Sequence, residues 1–226
     1  MIRATMVSNF YVTRSVVLVL CSLLTLGSFS RAWGQQDKPK PSPTIPNLPD
    51  AKPEILDLVI QDQWDRCNDM FGSNHQVDSC TIKPTITEHD AMRHSKAKEL
   101  LAQGKVETGR EYFFVALLFQ HSSDPNELML AHILSVTAAS KGFSRAKWMA
   151  AATMDRYLQS INQPQVFGTQ FKMAAGVWTM EPYTRTAVSD SLRSQWCVVP
   201  LTEQERVLKA YEQGGTGTST STPDCK

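Results

Sequence analysis

Several polar side chains capable of acid–base chemistry stand where the helical pattern predicts buried apolar residues. Asp155 follows Ala151 by four residues and therefore falls on the buried stripe of its helix. Gln120 and His121 end the apolar run FFVALLF, at a helix terminus that should also be buried. Histidine and aspartate can transfer protons at neutral pH, and Arg156 beside them could bind an anion.

Two interpretations of these residues are open. An unpaired buried polar group costs about 1–3 kcal/mol, so each of them should have a partner. In the structural interpretation they bond to one another, or hold the loop Gly168-Thr169-Gln170 against the helices. In the functional interpretation they line a pocket, and we then expect an open cavity beside His121, Asp155 and Gln170.

Helices must position these side chains, and the periodicity predicts a mainly α domain over residues 54–212. Apolar residues recur every three or four positions from Leu56 through Cys67 to Phe71, which indicates a first helix. Thr87 with Asp90 looks like the start of a second helix that ends near Gly104.

The later helices are predicted from their first residues. A capping box at Thr108–Glu111 precedes the apolar run, and Asp124-Pro125 opens a helix over 125–141. Ser144 is the predicted N-cap of a helix through about Ser160, and Thr202 opens a final helix with Glu205.

Short turns and small residues between these helices favour stacked antiparallel helix pairs of tetratricopeptide-like character. Residues 165–180 break the helical pattern because β-branched and aromatic residues surround two glycines. We predict a short β-hairpin or an ordered loop there.

Asp155-Arg156 is followed after seven residues by Pro164-Gln165 and then by Phe167-Gly168-Thr169-Gln170. This arrangement resembles the signature of an uncharacterised bacterial domain family of unknown function, in which a Gln-His pair precedes an Asp-Arg pair and a Tyr/Phe-Gly-Thr-Gln loop. Gln120-His121 is similar to its earlier pair, and Asp62-Gln63 with Arg66 to an N-terminal element. The resemblance supplies no reaction. It implies that the residues of these motifs form one spatial cluster, which consists of Gln120, His121, Asp155, Arg156, Gln165 and Gln170.

The two ends of the chain differ in composition from the helical domain. Residues 1–34 have a basic start, an uncharged apolar run over 15–29 and small residues before Gln35, which predicts a cleaved signal peptide and an exported protein, periplasmic or extracellular. Six of the twelve prolines lie in 35–53, which predicts a disordered linker. The low-complexity segment 213–226 predicts a flexible tail.

Four cysteines follow the predicted cleavage site, and in an exported protein they allow three disulfide pairings. Cys67–Cys80 closes a short loop and is the first candidate, which leaves Cys197–Cys225. Plain buried thiols are the alternative.

The charge balance argues against nucleic acid and anionic membranes as partners. The chain has 23 basic and 22 acidic residues; without the three arginines of residues 1–34, 20 and 22 remain, a net charge of −2. Neither partner class is attracted without concentrated positive charge. The spacing of histidines and cysteines indicates no metal site, and we expect no cofactor.

The sequence therefore predicts an exported helical module that binds a protein or a small molecule. Its ligand-binding candidates are Gln120, Arg156, Gln165, Thr169 and Gln170. The alternative is a hydrolase-like enzyme that uses His121 and Asp155 for acid–base catalysis.

Overall fold

The computed structural model describes residues 50–67, 85–215 and 220. All of them belong to Ser42–Lys226, one of the two compact units of the chain. The other unit, Met1–Pro41, lies outside the described residues, and so do the predicted signal peptide (1–34), most of the predicted linker and most of the predicted tail. These assignments remain predictions.

The described ranges contain seven helices and one two-stranded hairpin, which confirms the predicted mainly helical fold. The elements in chain order are α1 (Pro53–Asp65), α2 (Ile86–Ala102), α3 (Gly109–Phe119), α4 (Pro125–Ser140), α5 (Ala146–Ser160), β1 (Lys172–Ala174), β2 (Val177–Thr179), α6 (Asp190–Gln195) and α7 (Leu201–Glu212).

Helix α3 lies at the centre of the core because its sequence, GREYFFVALLF, is apolar on almost every side. Its residues from Phe113 to Phe119 are all buried, and burying a side chain of this size contributes about 1.5–3 kcal/mol. The helix packs against α1, α2 and α4, and α4 packs in turn against α5. The core therefore fixes the ends of α3, where Gln120 and His121 follow.

Short turns make consecutive helices antiparallel neighbours. Residues 120–124 join α3 to α4, and residues 141–145 join α4 to α5. Gly109 lets α3 approach the end of α4, since a Cβ atom there would lie 2.9 Å from the carbonyl oxygen of Ala138. The predicted helix pairs are thus present, whereas their tetratricopeptide-like character stays a prediction.

Two predicted helix starts are confirmed in their hydrogen bonds. Thr108 accepts a bond from the backbone of Glu111, whose carboxylate accepts one from the Thr108 backbone, so the capping box is complete. The side chain of Asp124 accepts from the backbone of Asn126 at 2.9 Å, and Pro125 is the first helical residue.

Other predicted starts are wrong by one or two residues. Helix α2 begins at Ile86, with Thr85 as N-cap, because Asp90 binds arginines instead of capping the helix. Helix α5 begins after Arg145 and not after Ser144. Helix α7 begins after Pro200, whose fixed φ suits a helix entry, and not at Thr202.

The end of α1 also differs from the prediction. The helix ends at Asp65, because Cys67 has a φ of 57°, a left-handed conformation that the helix cannot contain. Phe71, the predicted last position, lies outside the described residues. Helix α6 was not predicted; Ser189 caps it by accepting a bond from the Leu192 backbone at 3.3 Å.

A β-hairpin forms within the segment predicted as hairpin or ordered loop. Strands β1 and β2 pair antiparallel around Ala175 and Gly176, which both have positive φ, as tight hairpin turns require. Trp178 of β2 stacks on Tyr211 of α7 with ring centroids 4.6 Å apart. The hairpin is therefore anchored on α7.

Thr220 lies in the segment predicted to be flexible, yet it is buried. Its carbonyl oxygen accepts a bond from the Val199 backbone at 3.0 Å, and its Oγ1 from the indole of Trp148 at 3.3 Å. This position of the tail is thus held against the domain.

Candidate functional site

Asp155 holds the loop that follows α5. Its carboxylate is fully buried and accepts four hydrogen bonds of 2.7–2.9 Å, from the backbones of Val166, Phe167 and Thr169 and from the Thr169 hydroxyl. Burial raises the pKa of Asp155, against the effect of these bonds, which favour the ionised form. The Asp155 carboxylate thus accepts the hydrogen bonds of loop amides that have no backbone carbonyl as a partner.

Gln165 completes the closure of the same loop. It is fully buried; its amide donates to the carbonyl oxygens of Gln170 and Met180, and its Oε1 accepts from the Gln170 backbone at 3.0 Å. We call Asp155, Gln165 and Thr169, with the loop 165–170, the sealed cluster. Apart from the bond of Gln165 to Met180, the polar atoms of these side chains bond within the cluster.

Gly168 is required at the outer side of the sealed cluster. Its φ is +80°, and a Cβ atom there would lie 2.2 Å from Oε1 of Gln204 and 2.5 Å from the hydroxyl of Tyr183. Gln204 donates to the carbonyl oxygen of Phe167 at 2.7 Å. Tyr183 and Gln204, which the sequence did not single out, therefore close the loop from the side of α7.

Arg156 follows Asp155 on the helix but contacts different groups. Its Nε donates to Oε1 of Gln170 at 3.0 Å, and its Nη1 donates to the carbonyl oxygen and to Oε1 of Gln120 at 2.8 and 3.0 Å. The amide of Gln170 donates to the Thr169 hydroxyl at 3.0 Å. Thr169 and Gln170 thus link Arg156 to Asp155 indirectly.

A second polar network joins α1 to α2. Arg66 binds Asp62 at 2.5 Å and Asp90 at 2.6 Å, and Arg93 binds Asp90 at 2.6 Å and Asp65 at 2.8 Å. Asp62 is fully buried, and this burial raises its pKa to about 6 although Arg66, Gln63 and Arg93 oppose the shift. Three carboxylates and two guanidiniums therefore form one connected ion-pair network.

A cleft of about 640 Å³ opens between α2 and residues 121–127. Its lining is polar and includes Asp90, which belongs to the ion-pair network, and His121. Ligand sites commonly have volumes of about 300–1,000 Å³. The other polar side chains that line it are Thr87, His94, Ser95, Lys98, Ser122, Ser123, Asp124 and Glu127.

The far side of the cleft is held by hydrogen bonds around Glu127. Its carboxylate accepts from Lys98 and from Ser122, both at 2.6 Å, and lies 2.8 Å from Nδ1 of His94. The other ring nitrogen of His94 lies 2.9 Å from the carbonyl oxygen of Leu118. Both neighbours of this ring are therefore hydrogen-bond acceptors.

His121 also lines the cleft, and its side chain has no such partner. It is exposed, and it makes no hydrogen bond in the part of the chain that the structure describes. Desolvation in the cleft, together with the charges of Arg66 and Arg156, lowers its pKa to about 3. Since the ring keeps contact with solvent, the charges of the two guanidiniums explain the lowered pKa of His121 better than desolvation does. His121 is therefore a neutral imidazole at pH 7.

The structure divides the residues that the motifs suggested as one cluster. Asp155, Gln165 and Thr169 are sealed and bonded to the loop, as the structural interpretation predicts. Gln120, Arg156 and Gln170 form a bridge through direct hydrogen bonds. The functional interpretation placed His121, Asp155 and Gln170 beside one open cavity; His121 lines the cleft, whereas Asp155 and Gln170 do not.

The N-terminal motif also connects to the cleft, since Arg66 binds Asp90 at 2.6 Å and Asp90 lines the cleft with His121. The sequence reasoning missed Arg93, His94 and Glu127 as parts of this region. Asp90, Arg93 and His94 recur at helical spacing on α2, and this is the signal that could have revealed a polar face.

Two of the predicted disulfide cysteines lie in the described ranges, and Cys67 and Cys197 are both disulfide-bonded. Cys80 and Cys225 lie outside the described residues, so the predicted pairing stays a prediction.

Among the described residues, no group of histidine, cysteine and acidic side chains could hold a metal ion. Within the same ranges, no helix has the length and apolar character needed to cross a membrane. No family model, curated protein or solved structure matches this chain.

Proposed function

We propose that this chain is a binding module that takes a small polar ligand into the cleft beside His121. The observation that carries the proposal is the state of His121, an exposed imidazole without a partner among the described residues, at a cleft of about 640 Å³. A side chain that stabilises the fold is expected to be bonded, as Asp155 is. The two ring nitrogens of His121, one a donor and one an acceptor, are unbonded on a concave surface, which suits the binding of a ligand.

The lining defines the kind of ligand. Hydroxyl, ammonium and carboxylate groups of Ser95, Ser122, Lys98 and Glu127 surround the cleft. Such groups bind ligands through hydrogen bonds and charge, and they favour a polar molecule over an apolar one. We propose a small molecule, because the cleft is concave and polar, whereas protein partners are expected to bury apolar residues at the interface centre.

Export is part of the same proposal. A basic start, an apolar run and small residues before Gln35 support cleavage by a signal peptidase. Disulfide-bonded Cys67 and Cys197 support an oxidising compartment such as the periplasm or the exterior. The module would then meet its ligand outside the cytoplasm.

The test is a screen of polar small molecules against the full chain by heteronuclear NMR. We expect hits that shift the signals of His121 and of its neighbours across the cleft. Ser95→Trp places a bulky ring in the cleft and should abolish these shifts. The matched control is Lys96→Trp, on the same helix, since Lys96 is exposed and does not line the cleft. Hits that bind equally well to both variants would contradict the proposal.

A second candidate is a hydrolase-like enzyme in which the neutral, unbonded imidazole of His121 transfers protons. A neutral ring can accept a proton from an attacking group, although a pKa near 3 makes it a weak base until a bound anion raises that value. Asp155 would not transfer protons here because four donors occupy its carboxylate. It would position Arg156 through Thr169 and Gln170. Hydrolysis of a ligand found in the screen, lost in His121→Ala, distinguishes this candidate from simple binding.

A further inference from the structure

Two of the acidic side chains that line the cleft are paired with basic groups of the protein. Asp90 binds Arg66 and Arg93, both at 2.6 Å. Glu127 and Lys98, the one lysine of the described lining, pair with each other at 2.6 Å. These charges are therefore engaged before a ligand arrives.

Asp124 is the third carboxylate of the described lining, and it caps α4. Its Oδ1 accepts bonds from the backbone and from the side-chain amide of Asn126, at 2.9 and 3.1 Å. The first amides of a helix carry partial positive charge, which offsets the charge of a carboxylate at that position. Its Oδ2 makes no hydrogen bond within the described ranges. This oxygen is therefore an acceptor open to a ligand.

The other open groups of the cleft are neutral. The hydroxyls of Thr87, Ser95 and Ser123 are exposed there, and they make no hydrogen bond in the part of the chain that the structure describes. A hydroxyl both donates and accepts, and its proton rotates to suit the partner. His121 adds one donor nitrogen and one acceptor nitrogen. The cleft thus offers donors and acceptors side by side, while its charges are offset.

This lining is poorly suited to other polar ligands. An anion would meet three carboxylates, and an organic cation would find its only open acceptor of negative charge at Oδ2 of Asp124. Planar heteroaromatic ligands are commonly bound by stacking on large aromatic side chains. The lining that the structure describes contains no phenylalanine, tyrosine or tryptophan.

We propose that the cleft binds a neutral, hydroxyl-rich molecule, a sugar or a related polyol. The inference rests on the proposed function and names its ligand class. The ligand hydroxyls donate to Oδ2 of Asp124 and to the acceptor nitrogen of His121, and they accept from the open hydroxyls of the lining. Each open group of the cleft can thereby be matched without transferring a net charge out of water.

The experiment titrates the full chain with a panel of hexoses, disaccharides and hexitols and, separately, with methylammonium chloride and sodium acetate. NMR signals of the residues that line the cleft report binding. We expect at least one neutral compound to shift these signals, and neither ion to do so. Salt screens charged interactions and leaves neutral hydrogen bonds nearly unchanged. The dissociation constant of the neutral ligand should therefore change by less than about 2-fold between low and high sodium chloride.

Matched variants connect this binding to the open groups. Ser95→Ala removes one exposed, unbonded hydroxyl, so it should fold and weaken binding about 2- to 10-fold, the usual effect of one hydrogen bond. His121→Phe keeps a ring without its nitrogens and should weaken binding at least as much. The control Ser191→Ala makes the same change at an exposed serine of α6 that does not line the cleft, and it should bind like the wild type.

Equal binding to wild type, Ser95→Ala and His121→Phe would overturn the inference. So would a dissociation constant that rises severalfold with salt. Cleft binding of methylammonium or acetate, without binding of any sugar or polyol, would overturn it too and would leave the proposed function standing. If no polar small molecule of any charge binds in the cleft, both proposals fail. Binding of a neutral compound that depends on Ser95 and His121, and not on salt, supports the inference.

Discussion

The sealed cluster and the cleft both contain polar side chains, yet these side chains are used in opposite ways. In the sealed cluster, the carboxylate of Asp155 accepts four bonds from one loop. In the cleft, His121 keeps both ring nitrogens unbonded among the described residues. Arg156 stands between the two, held by Gln170 on one side and by Gln120 on the other. The difference indicates that the sealed cluster maintains the fold, whereas the cleft presents polar groups that are open to a ligand.

The largest effect should come from the sealed cluster. Asp155→Ala leaves three backbone amides and one hydroxyl of a buried loop without their acceptor, and we expect a loss of about 3–5 kcal/mol in the free energy of unfolding. Urea unfolding at pH 7 measures it. The control Glu205→Ala removes an exposed acid and should change stability by less than about 0.5 kcal/mol. A small loss for Asp155→Ala would remove the distinction between the two regions.

An intermediate effect should appear in the pH dependence of stability. The pKa of Asp62 is raised from 3.8 to about 6, so between pH 4 and pH 6 the folded protein holds a proton that the unfolded chain releases. Folding is therefore favoured at the lower pH, and this contribution is lost as pH rises through about 6. Its size is on the order of 2–3 kcal/mol.

Urea unfolding of wild type and Asp62→Asn at pH 4, 5 and 6 measures this contribution. The wild type should lose more stability than the variant between pH 4 and 6, because asparagine does not titrate. Parallel curves for the two proteins would show that Asp62 has the same pKa in both states. The ion-pair network would then hold Asp62 ionised, as a purely structural network does.

The smallest effect on stability is expected at His121. Its side chain is exposed and makes no bond within the described ranges, so His121→Ala should change the free energy of unfolding by less than about 0.5 kcal/mol. The same variant should lose binding of ligands found in the cleft. A cost of several kcal/mol would instead place His121 with Asp155 among the residues that maintain the fold.

Much of the fold was predictable because local signals determine it. The capping box at Thr108 and the Asp124-Pro125 start depend on bonds within four residues of the chain, and both are confirmed. The predicted second helix start failed at Asp90 because Arg66 and Arg93 bind this carboxylate. The apolar periodicity predicted that the first helix continues through Cys67, but the left-handed φ of Cys67 ends the helix before it.

The sequence predicted which residues belong to the candidate site, but it did not predict which of them are sealed and which face the cleft. Motif spacing drew attention to Gln120, His121 and Asp155, but periodicity cannot tell which polar side chain faces a loop and which faces solvent. That difference depends on where the loop 165–170 folds back and on how α2 lies against α4. Both are set by packing between residues far apart in the sequence.

The sealed loop also has a consequence for protein engineering. Residues 166–169 have no regular secondary structure, and such segments are usually chosen for inserting tags or labels. Here their amides are fixed on a buried carboxylate, and a Cβ at Gly168 would collide with Tyr183, so an insertion would unfold the region that holds Arg156. The turn at Ala175–Gly176 is exposed, and a Cβ at Gly176 would meet no atom within 4 Å. A reporter inserted at that turn would leave both polar regions intact.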